Sequence, residues 1–134
     1  MIRTILGTLA GVLVAWVLIA LSQFLSASLY RPTATDLRSP ESLADFIAAA
    51  PPLAMACVVA GYALAALAGG WTAARIGRAY PRTAAMLVGT LVLAGVVANF
   101  AMILHPAWMV VAGLLLPLPA AWWGSRLART PARS

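Results

Sequence analysis

Residues 83–127 read TAAMLVGTLVLAGVVANFAMILHPAWMVVAGLLLPLPAAWWGSRL, with no Asp, Glu or Lys and one arginine, Arg126, close to the end. A helix crossing a bilayer needs about 20 predominantly apolar residues, so this stretch is long enough for two. The interruption is His105-Pro106. Proline lacks a backbone N–H and pushes the residue before it out of the helical region, so it ends one helix and suits the first position of the next. The stretch therefore predicts two spans, 83–104 and 107–127, folded back on each other through a tight turn. Pro117 and Pro119 should kink the second near mid-membrane by freeing two carbonyls.

Upstream, residues 4–28 and 52–76 satisfy the same length and composition rule. The whole chain of 134 residues is 63% apolar and 9% charged. Soluble domains average roughly 45–50% apolar and about 25% charged residues, so this chain lacks the polar surface of one. A cytosolic globule, a disordered tail and a disulfide scaffold are excluded. The expectation is one all-α integral membrane domain, residues 1–134, with four helices in an up-down bundle. Ser26-Ala27-Ser28 offers small residues at a cleavage spacing. The apolar run before it is far longer than the 7–15 residues of a signal core, so the first span is read as an uncleaved helix.

Orientation follows from charge. Lysine is absent and all nine basic residues are arginine. If the N-terminus faces the cytoplasm, Arg3, Arg75, Arg78, Arg82, Arg126, Arg129 and Arg133 lie on that side; Arg31 and Arg38 lie outside among Asp36, Glu41 and Asp45. Positive charge in short loops marks the cytoplasmic side, which places both termini there. Trp71, Tyr80, Trp122 and Trp123 fall at the inner interface, and Tyr30, Phe46 and Trp108 near the outer one. The net charge of +6 does not form a continuous soluble face, so nucleic acid is not an expected partner. In the external loop, Ser39-Pro40-Glu41 reads as an N-cap, a first-turn proline and a first-turn acid. Leu43, Phe46 and Ile47 follow at helical spacing, predicting a short amphipathic helix at the outer surface, a connector rather than a lid.

In lipid, close packing of small residues draws helices together. The first span carries Thr4, Thr8, Gly11, Ala15, Ser22 and Ser26, with Gly7 beside Gly11. Ala54, Cys57, Gly61, Ala65, Ala68 and Thr72 mark the second, Ala85 and Gly89 the third, and Gly113, Pro117, Ala120 and Gly124 the fourth. Gly7, Gly11, Gly61, Ala65, Gly89, Gly113 and Gly124 are the expected helix crossings. Gln23 and Asn99 are expected to bond between helices or to line a polar path, and His105 to serve the turn. Leu9-Ala10-Gly11-Val12 recurs as Leu93-Ala94-Gly95-Val96, as a duplicated helical hairpin would produce.

Trp71, Arg75, Arg78 and Arg82 recur at one offset as Trp122, Arg126, Arg129 and Arg133. Spacings of four, seven and eleven residues keep each series on one helical face. Pro81 and Pro131 are expected to end the two helices before the last arginine of each series. An arginine one turn beyond a tryptophan can lie over the indole while reaching for phosphate. Trp71, Arg75, Arg78, Trp122, Arg126 and Arg129 are thus candidate contacts for anionic lipid headgroups on the cytoplasmic side, set against an ordinary topology signal.

No membrane-embedded carboxylate stands where a proton-coupled transporter needs one, which separates the chain from the small multidrug resistance exporters. No catalytic triad, metal-ligand cluster or phosphate loop is present, so neither enzyme activity nor a cofactor is expected. Gly69-Gly70-Trp71-Thr72-Ala73-Ala74-Arg75, His105-Pro106-Ala107-Trp108 and Leu116-Pro117-Leu118-Pro119-Ala120-Ala121-Trp122 together resemble a group of small four-helix bacterial inner-membrane proteins. The resemblance implies that location and architecture, and no activity. Gly70-x-x-x-Ala74-Arg75-x-Gly77-Arg78 is similar to a cytoplasmic loop of major facilitator transporters, with Ala74 where that loop has Asp. The expected function is contact with lipids, a second copy or a larger membrane protein. The alternative is an oligomeric channel or exporter for a small solute.

Overall fold

The computed structural model describes residues 1–129. Arg133 and Pro131, which end the second Trp-Arg series, lie outside the described residues. Six helices follow one another: α1 (Ile2–Leu29), α2 (Pro40–Ala49), α3 (Pro52–Ile76), α4 (Pro81–Met102), α5 (Ala107–Leu115) and α6 (Pro117–Arg129). With α5 and α6 taken as one span, four helices are long and apolar enough to cross a membrane.

The spans alternate in direction. Gly7 near the start of α1 lies against Ala73 and Gly77 at the end of α3, while Ser26 near the end of α1 donates to the Ala54 carbonyl near the start of α3 at 2.9 Å. Gly89 early in α4 meets Ala121 late in the fourth span. One end of the bundle therefore gathers the start of α1, the α3–α4 turn and the end of α6; the other carries α2 and the α4–α5 turn.

Helix α3 is the hub. It buries twelve of its 25 residues, against four of 28 in α1, and it packs on α1, α4 and α6. Its alanines and glycines let three neighbours approach one backbone, the packing mode available where lipid removes the hydrophobic drive. Outward-facing Leu9, Leu13, Trp16, Leu21 and Phe24 of α1 are more than half exposed, far more apolar surface than a water-facing protein presents.

The helix ends sharpen the sequence reading. The third span covers Pro81–Met102, because Pro81 opens α4 as a first-turn residue instead of closing α3. Helix α3 ends at Ile76, where the span 52–76 ends and not at Pro81; there Gly77 takes a ψ of 51° and is wedged against Ala84 and Thr4. The fourth span is interrupted at Leu116, between α5 and α6, where Pro117 and Pro119 lead the sequence reading to expect a kink. Pro117 and Pro119 cannot donate to Gly113 and Leu115, yet Leu116 keeps helical angles (φ −78°, ψ −38°), so the chain kinks without turning back.

Helix α2 has the expected cap with an addition: Ser39 accepts from the Ser42 amide and Ser42 accepts from the Ser39 amide, both at 3.1 Å. This reciprocal pair, with Pro40 and Glu41 in the first turn, fixes the helix start. Ile47 is buried, and Phe46 stacks on Tyr30 with ring centroids 4.5 Å apart. The hairpin duplication is matched in part by the packing, with α1 on α3 corresponding to α4 on α6. Exchanging α1 with α4 and α3 with α6 would map the α3–α4 interface onto α1 and α6, which form no comparable interface among the described residues.

Candidate functional sites at the two ends of the bundle

At the basic end the chain is sealed by small side chains. A Cβ on Gly7 would come within 2.6 Å of the Ala73 carbonyl oxygen, and one on Gly11 would run into the Gly69 carbonyl. The relation is mutual, since a Cβ on Gly69 would meet the Gly11 carbonyl at 2.6 Å. Gly124 approaches the α3 backbone at Leu67 and Trp71. Gly89 faces Ala121, and Gly61 faces Ser22. Gly113 meets the Phe100 ring, and Ala65 is fully buried. All seven expected crossing residues thus lie at buried helix contacts.

A second set on α3 escaped the sequence reading: Gly69, Gly70, Ala73 and Ala74 are buried too. The signal was the adjacent pair Gly69-Gly70, because neighbours in a helix point about 100° apart and cannot serve one interface. Gly69 admits α1, and Gly70 admits α6 at Ala121.

The Trp-Arg series is divided by the end of α3. Trp71 and Arg75 share that helix, with the guanidinium 5.4 Å from the indole centroid. Arg78 falls in the turn and Arg82 opens α4, so neither continues the face. On α6, Trp122, Arg126 and Arg129 remain together, and Arg126 lies 4.8 Å over Trp122. Arg75 also crosses to the neighbouring helix, donating to the Ala128 carbonyl at 3.4 Å. That bond ties the last turn of α3 to α6. Both Trp–Arg pairs therefore stand at the same end of adjacent helices, joined by Arg75.

The opposite end is looser and more polar. Asn99 donates to the Tyr62 hydroxyl at 3.2 Å, joining α4 to α3, and Gln23 of α1 approaches the same hydroxyl. Tyr62 was missed because a tyrosine in an apolar helix carries no periodic signal. Gln23 and Asn99 border two spaces: a hollow of about 190 Å³ roofed by α2, and a lateral groove of about 400 Å³ between α1 and α4. His105 borders the hollow, donating from Nδ1 to the Ile103 carbonyl at 2.7 Å within its own turn.

Three hydroxyls of the α1 stripe bond to backbone, and Ser26 also borders the hollow. Thr8 donates to the Thr4 carbonyl, Ser22 to Ile19 and Ser26 to Ala54. Between the hollow and the basic end, Ala15, Ala65, Ala66, Val88 and Ala121 are fully buried and fill the section. Among the described residues no three His, Cys, Asp or Glu side chains converge. No family model, curated protein or solved structure matches the chain.

Proposed function

We propose that the chain is a non-enzymatic multi-pass protein of a bacterial inner membrane, with both termini in the cytoplasm and α2 outside. It acts by binding anionic headgroups at its basic end and, through that lipid-facing bundle, a second copy or a larger membrane partner. The observation that carries this reading is the pair of tryptophan-backed arginines at one end, Arg75 over Trp71 and Arg126 over Trp122, with Arg75 bridging α3 to α6. An arginine can lie over an indole while it reaches for phosphate, and basic pockets between helix ends are sites where anionic headgroups bind. Transport through one bundle is the weaker reading, because the stripe hydroxyls bond to backbone and the mid-section is filled.

Native mass spectrometry of protein extracted with phosphatidylglycerol or cardiolipin tests it. Arg75→Gln with Arg126→Gln should strip retained anionic lipid well beyond Arg78→Gln with Arg82→Gln, at equal loss of charge. Generic surface attraction is worth about 1 kcal/mol per arginine wherever it sits, so equal losses from the two double variants would reduce the motif to a topology signal. Orientation is tested separately: a cysteine at Ser42 should react with an impermeant thiol reagent in intact cells, and one at Arg78 should not.

A further inference from the structure

The groove between α1 and α4 has Tyr62 as its floor, and Trp16, Val92 and Gly95 line it. Gly95 stands apart from the other nine glycines of the chain. Each of those has a neighbour that an added Cβ would press within about 3 Å, whereas a Cβ on Gly95 meets nothing within 4 Å. Glycine weakens a helix interior by roughly 1 kcal/mol relative to alanine, and nothing inside this chain requires it here. The space that it leaves open belongs to the groove.

The same groove brings polar groups to the flank of the bundle. Gln23 is exposed beside it, Asn99 is half-buried, and the Tyr62 hydroxyl lies between them. Polar groups facing hydrocarbon carry a cost unless partnered, and one bond between Asn99 and Tyr62 leaves donors and acceptors to spare. Among the described residues no Asp, Glu, Lys or Arg lines either the groove or the hollow. A charged head would lose its hydration there without a counter-charge, so the matching head is neutral. The shape distinguishes between occupants. A second helix is about 10 Å across with its side chains and has no way into a hollow of about 190 Å³ roofed by α2. A flexible chain with a small head fits both spaces, which share Gln23 and Asn99 in their walls.

We propose that groove and hollow form one binding site for a membrane amphiphile with an uncharged, hydroxyl-bearing head, of the monoacylglycerol class. The acyl chain lies along Trp16 and Gly95, and the head exchanges hydrogen bonds with Gln23, Tyr62 and Asn99 and extends under α2. The site needs the bundle to reside in lipid; it does not depend on the arginine end.

The test uses the full chain in phosphatidylcholine nanodiscs with two photoactivatable probes sharing one diazirine-bearing chain, one with a glycerol head and one with a phosphate head. The glycerol probe should label the groove walls between residues 16–23 and 92–99, and unlabelled monoolein should compete it away. Gly95→Phe should cut that labelling by about fivefold or more without lowering the melting temperature. Asn99→Leu should remove the preference for the glycerol head, about fivefold, the equivalent of one hydrogen bond. Labelling that monoolein cannot displace, equal labelling by both heads, or labelling indifferent to Gly95→Phe would overturn the site. A diazirine side chain at position 95 that cross-links two copies in place of lipid would overturn the occupant.

Discussion

The two halves of this bundle are built from the same apolar alphabet and end up opposite in character. Towards the basic end, glycine meets backbone: Gly11 against Gly69, Gly7 against Ala73, Gly124 against Leu67. Helices that approach so closely leave no room between them. Towards the α2 end Gly61 still meets Ser22 and Gly113 still meets the Phe100 ring, but the larger Tyr62, Asn99 and Met109 also stand between helices, beside a hollow and a groove. Side-chain volume at the crossing, rather than hydrophobicity, separates a closed section from an open one.

The largest expected effect breaks the closed half. Gly11→Leu drives a side chain into the Gly69 carbonyl, which belongs to a helix held on three sides. Overpacking of that kind costs about 3 kcal/mol, and a melting curve in detergent should show it as a large drop or a failure to fold. Gly95→Leu, on the same scale, should change almost nothing. Equal melting temperatures for the two would mean that the halves do not differ in packing.

Next in size is the polar link of the open half. Tyr62→Phe or Asn99→Leu removes the one bond joining α3 to α4 through side chains at that level. Bonds of this type within membranes are worth about 0.6–1.7 kcal/mol, so each variant should melt slightly lower. The double variant should cost less than the sum, since both lose the same bond. Full additivity would show that the contact contributes nothing.

A smaller effect belongs to the helix that roofs the hollow. Ser39→Ala removes the acceptor for the Ser42 amide, and caps of this type are worth about 1 kcal/mol. Because α2 rests on few contacts, the loss should appear as faster amide exchange across residues 40–49, with little change in the melting temperature. A matching drop in global stability would make α2 part of the closed core.

The smallest effect is a pH response in the loop before it. The Thr33 amide and hydroxyl both donate to Asp36, each at 2.7 Å, and hold its carboxyl below the usual carboxylate range, the amide contributing most. A depressed carboxylate pKa stabilises the turn above the unfolded value, near 3.9, and that contribution is lost as pH falls through the lower folded value. The Thr33 amide resonance should therefore hold its position down to about pH 4 and shift only below it. A shift centred at the ordinary aspartate value would show that the turn does not form.

The comparison also explains what was readable in the residues. Crossing glycines such as Gly11, Gly61 and Gly124 announce themselves because small side chains at helical spacing have one structural use in lipid. The double-sided role of α3 is written in Gly69-Gly70 but needs the position of α6 to be seen. The apolar run ends at residue 76 as the helix does, but the break in the basic face was not readable: Trp71, Arg75, Arg78 and Arg82 keep helical spacing straight through the turn where Gly77 packs on Thr4 and Ala84. Tyr62 and Gly95 were hidden for a related reason. Whether a tyrosine finds an asparagine, or a glycine finds nothing, depends on helix spacing that local sequence does not encode.

One measurement reaches the central claim, that the bundle is sealed through its middle below the hollow under α2. In a Cys57→Ala background, single cysteines at Val88 and at His105 are exposed to a water-soluble thiol reagent in a bilayer. The account predicts rapid modification at position 105, beside the hollow, and none at position 88, which is fully buried among α1, α3 and α4. Comparable rates at the two positions would mean that water crosses the section, and the chain would then have to be read as a conduit.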